Sequence, residues 1–231
     1  MQIAQQRRFQ NYRHDIILDV RQIKIALKGL RQLTRIGLEE ELDLDRTIDV
    51  TCKNAGDIEL IWRRSRKNTV KVLLLMDVGG SMEPFALLVS RLFSAAHSSS
   101  HFKDFQYYYF HNCVYENVYR DIERRDALST DHLLRNLEPE YKLIMVGDAS
   151  MDMTELMNMY GAINYYERNE IPGIVWLKRI AEHFTHRVWL NPDNPRFWVH
   201  PTVYTISRLF PMFSLTLDGL GEAVARLVVR K

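Results

Sequence analysis

The stretch Lys71–Met82 constrains the fold of this chain more than any other segment. A fully apolar run, Val72–Met76, leads directly into Asp77, two glycines and Ser81. A continuous apolar run bounded by polar residues is typical of a strand buried on both faces of a parallel sheet. Ligand sites of such sheets gather at the carboxyl ends of the strands, so we expect Asp77 and Ser81 to lie in a functional crevice.

Segments with strand-like and helix-like patterns alternate from residue 70 onward. This alternation predicts an α/β fold, a doubly wound and mostly parallel sheet with helices on both faces. After the first strand, further strands are predicted at residues 105–110, 114–119, 141–147, 186–190 and 212–216. Helices are predicted at residues 85–96, 128–137, 174–184 and 218–229.

The N-terminal part of the chain has a different pattern. Apolar residues spaced three and four apart, with Asp19 and Gln22 placed as a capping box, predict a helix near residues 19–34 that ends at Gly37. The acidic segment 39–45 is predicted to be a connection, and the imperfect alternation over 57–64 predicts an edge strand. We therefore divide the chain into an N-terminal helical extension and linker, residues 1–56, and a sheet domain, residues 57–231.

The overall composition predicts a protein of the cytoplasm. Lys and Arg number 31 and Asp and Glu 29, and the resulting net charge of +2 gives no general attraction to nucleic acid or to an anionic membrane. Cys52 and Cys113 lack the spacing of a disulfide framework or a thiolate zinc site, which fits a reducing compartment. No apolar stretch is long enough to predict a membrane span.

Oxygen-bearing side chains recur at the ends of the predicted strands. The sequence Asp77-x-Gly79-x-Ser81 offers a carboxylate and a hydroxyl, the ligand types that Mg²⁺ prefers. Thr130 begins a predicted helix, and Asp148 follows the buried strand 141–147. Two interpretations of Asp77-x-Gly79-x-Ser81 remain open at this point: a metal site, or a capped turn that leads into a helix.

Several separated blocks of sequence, taken in order, resemble a known family. The chain is similar to von Willebrand factor A (VWA) domain proteins of the bacterial CoxE-like family over roughly residues 7–230. The blocks that carry the resemblance are Leu73–Met82, Tyr109–Cys113, Met145–Ala149, Val188–Pro192 and Phe210–Leu220.

The resemblance implies a metal-ion-dependent adhesion site at the carboxyl edge of the sheet. Ser81 and Thr130 would bind the ion directly, and Asp77 and Asp148 would bind it directly or through water. Gly79 stands where many such domains have Ser, so one hydroxyl ligand is missing and a water could take its place. The implied ion is Mg²⁺, with Mn²⁺ or Ca²⁺ as substitutes.

The same resemblance implies a protein-binding adaptor without enzymatic activity. Such domains bind partners whose Asp or Glu completes the metal shell. CoxE-like proteins resemble partners of MoxR-type AAA+ ATPases in systems that mature or remodel metalloenzymes, so we expect such an ATPase, a metalloenzyme client, or both as partners.

A different class of function also fits the two acids. Asp77 and Asp148 could hold Mg²⁺ in a hydrolase or phosphatase. A phosphatase of the haloacid-dehalogenase type would need a second Asp where Gly79 stands, and no phosphate-binding glycine loop is present, so we rank this alternative below the adaptor. An RNA-binding VWA domain would need a concentrated basic surface, which the composition does not indicate.

Other chemistry-bearing residues are predicted to be structural. His97 and His101 are four residues apart but flank a run of serines that suggests a helix end. His111 and Cys113 lie at a turn without a third partner, and consecutive aromatics at 107–109 are typical of sheet packing rather than of base stacking.

Overall fold

The structure, a computed structural model, describes residues 19–161 and 169–229. Within these ranges the chain forms nine β-strands and eight α-helices. The strands are β1 Leu33–Leu42, β2 Trp62–Asn68, β3 Lys71–Asp77, β4 Asp104–Phe110, β5 Asn117–Tyr119, β6 Ala127–Ser129, β7 Lys142–Val146, β8 His186–Asn191 and β9 Met212–Ser214. The helices are α1 Val20–Lys28, α2 Leu44–Lys53, α3 Ala86–His97, α4 Thr130–Asn136, α5 Met153–Met157, α6 Gly173–His183, α7 Pro201–Ser207 and α8 Leu217–Val228.

Seven strands form the main sheet, in the order β6-β5-β4-β3-β7-β8-β9. The strands from β4 to β9 in this order pair in parallel, while β5 runs antiparallel to both of its neighbours. From β3 the chain first moves to β4 on one side and later returns to β7 on the other. The predicted doubly wound α/β fold is confirmed, and its topological switch point lies between β3 and β7.

The central strand β3 is apolar throughout because both of its faces are covered. Leu73 and Leu75 enter one hydrophobic cluster, with helix α6, while Leu74 and Met76 enter the other, with helices α1, α3 and α8. All four side chains are almost completely buried. Burial of one such side chain contributes about 1.5–3 kcal/mol, so the strand that ends at Asp77 is held firmly in the core.

Helix α1 is shorter than predicted. The predicted capping arrangement is present, since the Asp19 N–H donates to Gln22 Oε1 at 3.4 Å, but the helix ends at Lys28 and not at Gly37. The predicted end is wrong because residues 33–42 pair with β2 as a strand, although apolar residues continue at a spacing of three through Leu33 and Ile36.

The interpretation of residues 39–45 as a connection is also wrong. They form the end of β1 and the start of α2, and the edge strand predicted at 57–64 lies at Trp62–Asn68. The acidic residues of β1 face basic residues of β2: Glu41 Oε1 lies 2.7 Å from an Arg63 nitrogen. Such cross-strand pairing depends on residues far apart in sequence, which a local pattern does not show.

The antiparallel strands β1 and β2, which are connected through α2, lie on opposite sides of the predicted boundary between residues 56 and 57. Helix α1 packs against α3 and α8, and its Ile23 and Leu27 belong to the same cluster as β3. The part of the extension that the structure describes is therefore integrated with the sheet through α1, and it contains a strand besides its helices. Residues 1–18 of the predicted extension lie outside the described residues.

The short edge strands were predicted least well. The strand predicted at 114–119 is reduced to β5, the strand β6 was not predicted, and the main sheet accordingly has seven strands where about six were expected. Strands of three residues carry too short a pattern to be recognised locally. In the described ranges, no helix combines the length and the apolar character that crossing a bilayer requires.

Helix α1 provides a test of this integration. Leu27 is 1% exposed and Ile25 on the same helix is 60% exposed. We expect Leu27→Ala to lower the free energy of unfolding of the whole sheet domain by about 2–5 kcal/mol, because it leaves a cavity between α1, α3 and α8. The measurement is urea unfolding followed by circular dichroism.

Ile25→Ala is the matched control, and it should change the free energy of unfolding by less than about 0.5 kcal/mol. If Leu27→Ala were as mild as Ile25→Ala, helix α1 would not contribute to the core of the sheet domain.

Candidate functional site

The three loops identified in the sequence lie at one edge of the sheet. Asp77 ends β3, and Asp148 follows β7, which pairs with β3 in parallel. The strand β6 is antiparallel to β5, which is antiparallel to β4, so β6 runs in the same direction as β4 and β3. Thr130, directly after β6, therefore lies at the same edge as Asp77.

Asp77 is held by backbone groups from two loops. Its Oδ1 accepts hydrogen bonds from the N–H groups of Gly79, at 2.8 Å, and Asn112, at 2.9 Å. Its Oδ2 is buried and has no hydrogen-bond partner among the described residues. One carboxylate oxygen is thus fixed in place and the other is unsatisfied.

The surroundings of Asp77 disfavour its negative charge. Burial, with smaller contributions from nearby Asp148 and Glu155, raises the pKa of Asp77 to about 7 against the opposing effect of the two backbone hydrogen bonds. A buried carboxylate without a counter-charge is costly, and a cation beside it removes most of that cost. The unsatisfied Oδ2 and the surrounding oxygen donors therefore fit a bound hard cation.

Asp148 follows a glycine at a point of close approach between two strand ends. A Cβ on Gly147 would lie 2.9 Å from Asp77 Cβ, which is closer than real Cβ atoms come, and 3.1 Å from Asp77 Oδ2, which is an unusually tight contact. Asp148 is buried; its Oδ1 accepts from the Ser150 N–H at 2.9 Å, and its carbonyl accepts from Asn191 Nδ2 at 2.7 Å. Gly147 thus allows the ends of β3 and β7 to approach closely.

The two hydroxyls differ in accessibility. Ser81 is exposed in the 3₁₀ turn Gly80–Phe85, whereas Thr130 is completely buried. The Thr130 hydroxyl donates to the Tyr115 carbonyl at 2.6 Å, which leaves the oxygen lone pairs as acceptors. The structure places both hydroxyls at the edge that carries Asp77 and Asp148, and their convergence on one ion stays a prediction.

Two residues of this edge were not selected from the sequence. Asn112 follows the end of β4, and its Nδ2 donates to Glu155 Oε2 at 3.4 Å. Glu155, in α5, is 7% exposed; burial raises its pKa, and its Oε1 has no partner among the described residues. The position of Asn112 after the strand next to β3 was a usable signal in the sequence. Helix α5 was not predicted, so the sequence gave no signal for Glu155.

In the ranges 19–161 and 169–229, no group of three or more His, Cys, Asp or Glu side chains is arranged to hold a metal ion. An ion at this edge would therefore take its shell from one or two carboxylates together with hydroxyl, amide or water oxygens. Such an oxygen-rich set suits Mg²⁺ and not Zn²⁺.

His97, His111 and the buried Cys113 have structural surroundings. His97 stacks on Phe93 with ring centroids 5.4 Å apart, and its ring edge meets Tyr107. Burial lowers the pKa of His111, and burial raises the pKa of the Cys113 thiol far above its usual range. A protonated, buried thiol is a poor nucleophile and a poor metal ligand.

A groove of about 460 Å³ opens beside the Asp77 loop. Its walls come from the Asp77–Gly80 turn, the first turns of α3, and the exposed Ile122. The apolar side chains that line it are Met76, Val78, Met82, Ala86, Val89, Phe93, Tyr109 and Ile122. An apolar cleft thus adjoins the acidic edge.

A doubly wound, mostly parallel sheet that carries acids and hydroxyls along one edge is consistent with an α/β domain of the von Willebrand factor A type. The family model for VWA domain containing CoxE-like proteins matches residues 17–138, more than half of the chain, so the chain belongs to this family. The matched range includes Asp77, Ser81 and Thr130 and ends before Asp148. No curated protein and no solved structure matched the chain. Family membership indicates a protein-interaction role.

The disfavoured charge of Asp77 predicts a pH-dependent effect on stability. In metal-free protein we expect Asp77→Asn to become progressively more stable relative to wild type as the pH rises from 4 to 7. The native-state pKa of about 7 exceeds the ordinary value of 3.8, so ionisation destabilises wild type in that interval. The difference should grow by up to about 1.4 kcal/mol per pH unit and level off above pH 7.

The measurement is urea unfolding of both proteins in chelator at pH 4, 5, 6, 7 and 8. The change of the difference with pH is decisive, since the amide introduced by the substitution adds a donor whose effect does not vary with pH. A difference that stayed constant across this range would contradict the argument.

Proposed function

We propose that this chain is an adaptor that binds a partner protein through a divalent cation held at the carboxyl edge of its sheet. The observation that carries the proposal is the buried Asp77 carboxylate at the switch point, whose Oδ2 has no partner among the described residues. We assign Mg²⁺ as the ion, with Mn²⁺ or Ca²⁺ as functional substitutes. The residues that we assign to hold it are Asp77, Ser81, Thr130 and Asp148.

These residues would contribute to cation binding in different ways, because they differ in accessibility. Asp77 is fixed through Oδ1 and directs its free oxygen into the site. Thr130 offers a buried neutral oxygen, and Ser81 offers an exposed one. A bound Mg²⁺ would supply an open coordination position for a carboxylate oxygen from another protein.

The apolar groove indicates what kind of partner segment could bind there. An Asp or Glu of the partner would reach the cation while a neighbouring large apolar side chain enters the groove between α3 and Ile122. Contact through an apolar pocket provides affinity, and the charged contact provides orientation. We expect the segment to come from a MoxR-type AAA+ ATPase or from a metalloenzyme client that is matured or remodelled, as the family resemblance implies.

A Mg²⁺-dependent hydrolase or phosphatase using Asp77 and Asp148 is the second candidate, and the geometry at Gly79 weakens it. A Cβ on Gly79 would lie 2.1 Å from Asn112 Oδ1, so the second acid of a phosphatase motif would fit there only if the Asn112 side chain moved away. We propose that the chain is not an enzyme.

Purified protein with Mg²⁺ should therefore show no turnover of ATP or of a generic phosphate ester above the buffer rate. The assay is release of inorganic phosphate, with Asp77→Ala measured in parallel. Turnover by wild type that disappears in Asp77→Ala would establish the hydrolase instead.

Partner capture tests the adaptor directly. The immobilised chain is offered a purified MoxR-type ATPase of the same organism, or its metalloenzyme client, in Mg²⁺ or in chelator. We expect Asp77→Ala, Asp148→Ala and chelator each to reduce capture by wild type at least about tenfold, since loss of a buried charged contact costs several kcal/mol.

Matched controls identify the surface. Asp45→Ala removes an exposed acid of α2, and it should leave capture unchanged. Ile122→Lys in the groove should weaken capture, whereas Ile48→Lys, which alters a similarly exposed apolar residue outside the groove, should not. Equal capture by wild type, both acid variants and chelated protein would show that association uses another surface.

A further inference from the structure

The space at the third position of the Asp77-x-Gly79-x-Ser81 turn is occupied by another residue. A Cβ on Gly79 would lie 2.1 Å from Asn112 Oδ1, 3.3 Å from Asn112 Cγ and 3.2 Å from Asp77 Oδ1. The first distance is far below what a real Cβ permits. The amide oxygen of Asn112 therefore fills the volume into which a side chain at position 79 would project.

The backbone of Asn112 is anchored to the same acid. Its N–H donates to Asp77 Oδ1, the oxygen that also accepts from the Gly79 N–H. Asn112 has a φ of 52°, in the left-handed region that Asn adopts more readily than most residues. The end of β4 thus brings Asn112 over the Asp77 turn with its side chain beside Gly79.

The orientation of the amide is set by Glu155. Asn112 Nδ2 donates to Glu155 Oε2, so Oδ1, the other arm of the amide, points away from Glu155. Oδ1 lies beside Gly79. The neutral oxygen of Asn112 therefore faces the turn whose Asp77 Oδ2 has no partner among the described residues.

We propose that Asn112 supplies, through Oδ1, the neutral oxygen ligand that Gly79 cannot supply, and that Glu155 is the positioning residue that orients it. This inference rests on the cation proposed above. Amide oxygens serve as ligands for hard cations, as hydroxyl oxygens do, so the exchange of a hydroxyl for an amide leaves the charge of the ligand set unchanged. Asn112 and Gly79 therefore depend on each other. The Asn112 amide replaces the hydroxyl that Gly79 lacks, and it occupies the space that a side chain at position 79 would need.

A mutant cycle tests the reciprocity, with Mn²⁺ as the probe. The free Mn²⁺ remaining in solution is measured by electron paramagnetic resonance during titration of purified protein. We expect Asn112→Gly to weaken Mn²⁺ affinity about 10- to 100-fold. Gly is the suitable replacement, because it accepts the positive φ and keeps the N–H that binds Asp77.

The other variants complete the cycle. Gly79→Ser alone should weaken Mn²⁺ binding because its Cβ meets the Asn112 oxygen. The double variant Gly79→Ser with Asn112→Gly should restore the affinity to within about threefold of wild type, since a hydroxyl then occupies the vacated space.

Melting temperatures in chelator show that each variant is folded, independently of the ion. Equal Mn²⁺ affinity in wild type and Asn112→Gly would overturn this inference while leaving the cation site in place, as would a double variant as weak as either single one. Absence of Mn²⁺ binding by wild type would overturn both this inference and the cation of the proposed function.

Discussion

The pairing of β3 with β4 on one side and β7 on the other is the interaction on which the site depends. Both faces of β3 are covered by hydrophobic clusters, so the strand cannot shift without uncovering apolar side chains. The fixed position of β3 places Asp77 at the switch point. The paired strands β4 and β7 end beside it, so Asn112 and Asp148, which follow these strands, lie next to Asp77. A site on a firmly held sheet edge can bind and release a partner with little rearrangement of its own.

The acids at this edge oppose folding in the absence of a counter-charge. Asp77 is buried with one unsatisfied oxygen, and Glu155 lies buried nearby with another. Burial of apolar side chains in the core offsets the unfavourable free energy of burying these acids. Functional sites commonly lower the stability of the protein that carries them. Gly79 and Gly147 allow the crowding, because a side chain at either position would meet the atoms around Asp77. The family resemblance in the sequence and the family match lead to the same protein-interaction class.

The N-terminal region shows why local patterns predicted one part of this fold and missed another. Helix α1 was recognised because its apolar residues recur at helical spacing over nine residues. Strand β1 was missed because it carries mixed charges and pairs with β2 through contacts such as Glu41 with Arg63, 22 positions apart. The buried strands β3 and β7 were predicted well, since continuous apolar runs have few other stable environments in a protein of this composition.

For the candidate site, the sequence by itself determined which loops carry carboxylate and hydroxyl side chains. Asp77, Thr130 and Asp148 follow recognisable strands or begin a recognisable helix, and parallel topology requires strands of one direction to end at one edge. The approach of Asn112 to Gly79, the burial of Asp77 Oδ2 and the presence of Glu155 were decided only by the tertiary structure. These features depend on distances of a few ångströms between side chains from different loops, and such distances follow from how strands and helices pack together, which no local stretch of sequence specifies.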